Sequence, residues 1–115
     1  ECWKPASKQH KSKCHEQAQN NRYDECWNNF KGRAQELNLP SAPEHYLTYC
    51  EEDNRPQTKL DRMTENGMGV TIGRLREDTI FDYKFVSLSH NTLRGAAGGA
   101  VLMAELLCAE GYMDR

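Results

Sequence analysis

Ser89-His90-Asn91-Thr92 is the stretch of this chain best equipped to hold a small polar molecule. Four short polar side chains follow a strand-like run and precede a long run of small and apolar residues. Their oxygens and nitrogens therefore share one corner with the free N–H groups of a helix start, an arrangement that can take up an amide, a carboxylate or a phosphate. The same residues also serve simply as caps, since the side-chain oxygens of Asn91 and Thr92 can accept from unpaired backbone N–H groups. Elsewhere the reactive side chains do not assemble into nucleophile, base and orienting group. A cysteine nucleophile needs a partner that lowers its pKa, and only Cys14 and His15 are neighbours; adjacent residues on a helix point away from each other. Zinc would accept Cys2, His10, Cys14 or His15, and Cys26, but structural zinc sites show paired short spacings and no C-x-x-C occurs. These patterns predict no catalytic residue and no metal site.

The bulk properties narrow the function classes. At 115 residues the chain suffices for one domain, and is too short for a dinucleotide-binding domain plus a substrate domain. Hydrophobic residues at 37%, charged residues at 28% and a mean hydropathy of -0.89 point to a small core and a surface partly meant for a partner. A net charge of -2 gives no global attraction to nucleic acid or to an anionic membrane, and Lys4, Lys8, Lys11 and Lys13 read as a solvated face or a frayed end. The five cysteines, Cys2, Cys14, Cys26, Cys50 and Cys108, are odd in number, lie far apart and follow no signal peptide, so reduced thiols in the cytoplasm are expected.

The elements that would position the polar corner can be read in order. Residues 1–20 are polar and carry little periodicity beyond a short strand or helical turn near Cys2 and Trp3. Tyr23, Cys26, Trp27 and Phe30 recur at spacings of three and four, which predicts a helix with an aromatic stripe, ended near Gly32. Pro40 and Pro43 then impose an extended loop that has to lie against something. His45 to Cys50 has strand composition, and Glu51 to Pro56 forms an acidic turn with a rigid exit. Two further strands, Gly67 to Arg76 and Phe81 to Ser89, flank a turn at Glu77-Asp78-Thr79 and suit an antiparallel hairpin. The glycines at 67, 69 and 73 do not fit G-x-G-x-x-G, so no phosphate loop is predicted.

A helical region over residues 91–110, capped by Asn91 or Thr92 and stopped by Gly111, would hold about 18 helical residues and run about 27 Å at 1.5 Å per residue. Its internal glycines cost about 1 kcal/mol each relative to alanine, and close approach of another backbone or a planar ligand to the face shared by Gly95 and Gly99 would compensate. The apolar run is too short, and too interrupted by Arg94 and Glu105, to span a membrane.

Several phrases, in order, resemble aspartate-semialdehyde dehydrogenases, in particular the branch found in archaea, fungi and many bacteria. They are Leu39-Pro40-Ser41-Ala42-Pro43, Asp53-Asn54-Arg55-Pro56-Gln57 with Leu60-Asp61-Arg62, Asn66-Gly67-Met68 and Gly73-Arg74-Leu75-Arg76. The most specific is Asp82-Tyr83-Lys84-Phe85 leading to Ser89-His90-Asn91-Thr92-Leu93-Arg94-Gly95-Ala96-Ala97-Gly98-Gly99, with Ala104-Glu105-Leu106-Leu107 beyond.

The resemblance implies the C-terminal, substrate and dimerisation part of an enzyme that reduces L-aspartyl 4-phosphate to aspartate 4-semialdehyde with NADPH. That step leads toward lysine, threonine and methionine. The implied fold is α+β: a mixed or antiparallel sheet with helices on one face and a long C-terminal helix, as in the C-terminal domain of glyceraldehyde-3-phosphate dehydrogenase. Residues 21–112 would form this partial domain, and residues 1–20 a poorly matched polar segment. The family places its Rossmann turn, nucleophilic cysteine and acid/base histidine upstream of the matched region, so none of the five cysteines inherits a catalytic role. Asn91 matches the family asparagine that contacts the nicotinamide end of NADP, with Thr92 and Gly95 as neighbours. The implied partners are the N-terminal half of the enzyme and further copies in a homodimer or tetramer, with no nucleic acid and no membrane. The rival expectation is a stand-alone dimerisation or binding module that has kept the interface without the chemistry.

Overall fold

The structure is a computed structural model, and it describes residues 23–113. The Cys14–His15 pair, the proposed zinc ligands other than Cys26, the lysine-rich stretch and the turn near Trp3 lie outside the described residues. Helix α1 covers residues 23–28 and α2 covers Arg33–Glu36; then follow β1 (Leu47–Cys50), α3 (Thr58–Asp61) and a tight 3-10 turn at Thr64–Gly67. Strands β2 (Val70–Glu77) and β3 (Tyr83–Ser89) come next, and a π-helical turn at Leu93–Ala97 runs directly into α4 (Gly98–Ala109).

The three strands form one mixed sheet in the order β1-β2-β3. β1 lies parallel to β2, with Tyr49 opposite Ile72, and β3 returns antiparallel, with Ser87 opposite Ile72. The hairpin turn is held by the Asp78 carboxylate, which accepts from the Lys84 ammonium at 2.8 Å and from the N–H groups of Phe81 and Ile80 at 3.1 and 3.2 Å. These donors, Lys84 foremost, hold the Asp78 carboxyl well below the usual carboxylate range. Between Gly73 and Arg76 the register slips and Arg74 takes a left-handed φ of 55°, so strict alternation breaks in the second half of β2.

Side chains alternate across a sheet, so the two faces of this one have separate coverings. The aromatic stripe of α1 meets the face that carries Tyr49 and Phe85: the Trp27 ring stands 5.2 Å from Tyr49 and 5.7 Å from Phe85, and Tyr23 stands 5.7 Å from Tyr83. Phe30 does not join them and is half exposed. Nor does Gly32 end this helix, which stops four residues earlier. Gly32 instead opens α2, where its N–H donates to Gln35 Oε1 at 2.9 Å. On the opposite face the Thr71 hydroxyl, buried in full, lies 3.2 Å from that of Thr64, and Gly73 packs against the backbone of Arg55.

A Cβ at Gly73 would stand 2.6 Å from the Arg55 carbonyl oxygen and 3.1 Å from that of Cys50, so backbone would have to move. Gly73→Ala is therefore expected to destabilise the chain by about 1–3 kcal/mol. Denaturant titration measures this, and an unchanged midpoint would show that the loop after β1 yields freely.

The core is small, as the composition implies. Ala34, Tyr46, Met68 and Leu102 form its centre, with Leu39, Ala42 and Leu47 packed around them. The proline loop is tied to α4 through Ser41, whose N–H and hydroxyl both donate to the Glu105 carboxylate, at 3.0 and 2.7 Å. The far end of α4 closes as Gly111 predicts. Gly111 adopts φ 77°, its N–H reaches the Cys108 carbonyl at 3.2 Å, and the Tyr112 N–H reaches that of Leu107 at 2.9 Å.

Among the described cysteines, Cys50 and Cys108 are free, whereas Cys26 is disulfide-bonded. The expectation of five reduced thiols is corrected there. Separation along the chain does not report proximity in space, which is what sets pairing. Among the described residues no helix is long and apolar enough to cross a membrane.

Candidate functional site

β3 delivers its last residue, Ser89, to the turn that holds His90, Asn91 and Thr92. The expected cap is corrected here: neither Asn91 nor Thr92 caps this helix with its side chain. His90 does so instead, its Nδ1 accepting from the N–H groups of Thr92 and Leu93, both at 3.2 Å. The start is also wider than an α-helix, because the Gly95 N–H bonds the His90 carbonyl at 3.1 Å and the Ala97 N–H bonds the Thr92 carbonyl at 2.7 Å, five residues back in each case. The helix expected over 91–110 thus comprises a π turn from Leu93 and a regular helix to Ala109. Thr92 does stand at the N-cap position, as one of the two expected residues, but the capping acceptor is a ring nitrogen, a less familiar one than a hydroxyl or amide oxygen.

Three inward contacts hold the helix start in place. Glu65, Asn66 and Gly67 all take left-handed backbone, with φ of 54°, 56° and 82°, and the loop they form wedges beneath the helix. At Gly67 a Cβ would stand 2.5 Å from Leu93 Cδ1, and at Gly98 it would stand 2.5 Å from Met68 Sδ. The Arg94 guanidinium sits 4.9 Å above the centre of the Tyr46 ring. The strained loop is braced in turn by the Glu65 carboxylate, which accepts from the Glu44 N–H at 2.9 Å and lies 3.5 Å from His45 Nδ1. An Asn-Gly dipeptide is a turn signal, so this loop could have been anticipated from Asn66-Gly67; its contact with Leu93 could not.

The outward side of the same start is open. Asn91, Thr92 and Gly95 are exposed, and a Cβ at Gly95 would meet nothing nearer than the His90 carbonyl oxygen, at 3.9 Å. Within this chain nothing closes on Gly95, so its side of the face it was expected to share with Gly99 stays open. The glycine that admits another segment of this chain is Gly98, against Met68, while Gly99 crowds only the Arg94 carbonyl of its own wide turn. The structure brings Asn91, Thr92 and Gly95 together on one solvent-facing corner, with room for a flat polar group. The residues present fit the amide end of a nicotinamide. An asparagine side chain both donates and accepts, matching a carboxamide, and bare backbone at Gly95 lets a ring come near.

Burial pushes the Cys50 thiol up, and the opposing pull of Arg55 does not reverse it. No group of three or more histidine, cysteine, aspartate or glutamate residues able to hold a metal stands among the described residues. The other strongly coupled group, Asp61, is structural. Its buried carboxylate accepts from Arg55 Nε at 2.9 Å, from Arg55 Nη2, and from the Gln57 N–H at 2.7 Å, fixing the loop that covers Gly73.

Comparison with known proteins gives this geometry a family. Residues 5–94 match the family described as semialdehyde dehydrogenase, dimerisation domain. The chain is 50% identical over 93 residues to the NADP malonyl-CoA reductase of Metallosphaera sedula, covering 79% of this chain and 26% of that protein. It is 48% identical over 85 residues to the aspartate-semialdehyde dehydrogenase of Methanothermobacter thermautotrophicus, covering 72% and 24%. Among solved structures, that of the Candida albicans aspartate-semialdehyde dehydrogenase with NADP superimposes with a TM-score of 0.71 at 38% identity, over 82% of this chain and 26% of that one. The chain thus spans about a quarter of the length of the relatives it matches. It belongs to the semialdehyde dehydrogenase family, as the C-terminal dimerisation part found in aspartate-semialdehyde dehydrogenases.

Proposed function

We propose that this chain supplies the nicotinamide-facing corner and the dimer surface of an NADP-dependent aspartate-semialdehyde dehydrogenase, and is inactive without the upstream part that carries the phosphate loop and the nucleophile. The observation that carries this reading is the open corner of Asn91, Thr92 and Gly95, held at the head of α4 in a chain similar to enzymes whose names specify semialdehyde chemistry and NADP. When bound, NADP supplies hydride transfer. The chain's own residues orient it: Asn91 pairs with the carboxamide, Thr92 offers a hydroxyl beside it, and Gly95 leaves the approach clear.

Exposed apolar side chains at Phe85, Val101 and Met103 support a second role, burial against the upstream part or against further copies in a homodimer or tetramer. In this reading residues 21–112 belong to the partial domain, with the final helical region from 91 to 110, and the family match from residue 5 carries that domain into residues 1–20. The compartment proposed for this enzyme is the cytoplasm, against which the Cys26 disulfide, among the described residues, favours an oxidising one.

A second substrate reading rests on the similarity to malonyl-CoA reductase, which would present a thioester instead of an acyl phosphate. One experiment separates these possibilities. The chain is joined to the preceding part of the Methanothermobacter enzyme, and phosphate-dependent reduction of NADP is followed with aspartate semialdehyde. Activity is the expected outcome. Reduction of malonyl-CoA alone would favour the second substrate, and no activity with either would leave the dehydrogenase assignment without support. The separate chain is expected to show no NADP binding by calorimetry. Micromolar binding would identify a stand-alone binding module.

A further inference from the structure

We propose that His90 is the positioning residue of the nicotinamide corner, acting through Asn91 and not touching the cofactor itself. This rests on the reading of Asn91, Thr92 and Gly95 as the cofactor-facing group and goes beyond it. His90 precedes all three and bonds two of them, Thr92 and Gly95. Its ring nitrogen Nδ1 accepts from the N–H groups of Thr92 and Leu93, and its carbonyl accepts from the N–H of Gly95. The residue before Asn91 is thereby tied to the backbone that follows it, and Asn91 is the only residue of the corner that His90 does not bond directly. Asn91 itself is exposed, and its side chain makes no hydrogen bond among the described residues, so its direction is set by the backbone that His90 holds.

Two N–H donors converging on Nδ1 require a lone pair there, which places the ring proton on Nε2 in the neutral side chain. The role therefore belongs to an acceptor two bonds beyond Cβ. Asparagine has one in the same place, because Oδ1, like Nδ1, is bonded to Cγ. Glutamine carries its acceptor one bond farther out, and alanine carries none. This ordering separates positioning from mere occupancy of space, since glutamine fills the volume about as well as asparagine does.

The test uses the joined enzyme described above, run in the reductive direction with L-aspartyl 4-phosphate, with KM for NADPH and kcat measured separately. His90→Ala is expected to raise KM for NADPH about tenfold, by letting the amide of Asn91 drift from its productive direction. His90→Asn is expected to stay within about threefold of the parent and His90→Gln to resemble His90→Ala. Because His90 acts through Asn91, the double variant His90→Ala/Asn91→Ala should be no worse than Asn91→Ala alone.

Thermal midpoints of all variants guard against simple unfolding, and the asparagine variant keeps the comparison decisive if the alanine variant does not fold. Losses that multiply in the double variant, or an asparagine variant no better than the glutamine one, overturn the positioning role. If the parent joined enzyme is inactive, the dehydrogenase reading fails first and takes this role with it. If the parent is active and the His90 variants match it, only the positioning role fails.

Discussion

Asp61→Ala is expected to lower the unfolding free energy by about 2–3 kcal/mol, measured by denaturant titration. The carboxylate is 4% exposed and accepts from Arg55 and from the Gln57 N–H, so its removal leaves donors without partners under the loop that covers Gly73. The Arg55 side chain is 29% exposed, and water there takes over part of the lost pairing, which keeps the loss below that of a fully enclosed pair. The same group predicts an acid response. Hydrogen bonds from Arg55 foremost, then from Gln57, hold the Asp61 carboxyl below its ordinary value against the upward push of burial. A carboxyl depressed in the folded state contributes fully above its unfolded value of about 3.9. That contribution is lost as pH falls through the lower folded value. The parent chain should therefore lose stability below about pH 4 more steeply than the alanine variant, which keeps only the slope due to Asp78 and other carboxyls. Parallel acid profiles for the two proteins would remove Asp61 from this role.

In the joined enzyme, Asn91→Ala is expected to reduce kcat/KM for NADPH about a hundredfold, because a nicotinamide with one misdirected contact seldom reaches a productive geometry. Stability should change by less than about 0.5 kcal/mol, since the side chain is exposed and unbonded among the described residues. The two readouts together matter: equal losses of stability and activity would mean that Asn91 holds the turn and does not face the cofactor. Gly95→Ala sharpens the same point. Its Cβ would enter open space, 3.9 Å from the nearest atom, so the chain should tolerate it, and any loss of NADPH affinity reports crowding by the cofactor alone.

How much of this was legible in the residues follows from the range of the interactions involved. The aromatic spacing of α1, the hairpin of β2 and β3, the proline loop and the Gly111 stop are local patterns, and each was readable because its physics acts within a few residues. Family phrases around Ser89-His90-Asn91-Thr92 likewise marked the corner before any geometry was known. Other features depend on residues distant in sequence that meet only in the folded chain. The parallel pairing of β1 with β2 pins Gly73 against Arg55, 18 positions earlier in the chain. The left-handed loop at Glu65-Asn66-Gly67 supports Leu93 through a contact no periodicity reveals. Within the chain the close approach falls at Gly98, because Met68 is the segment that arrives there. The capping bonds go to the His90 ring and not to the side chains of Asn91 or Thr92, because the ring reaches the N–H groups of Thr92 and Leu93. The sequence by itself determined which corner carries the polar chemistry. Only the tertiary structure decided which residue bonds the start of the helix and which residues stay exposed, since that division depends on where strand, loop and helix converge in space.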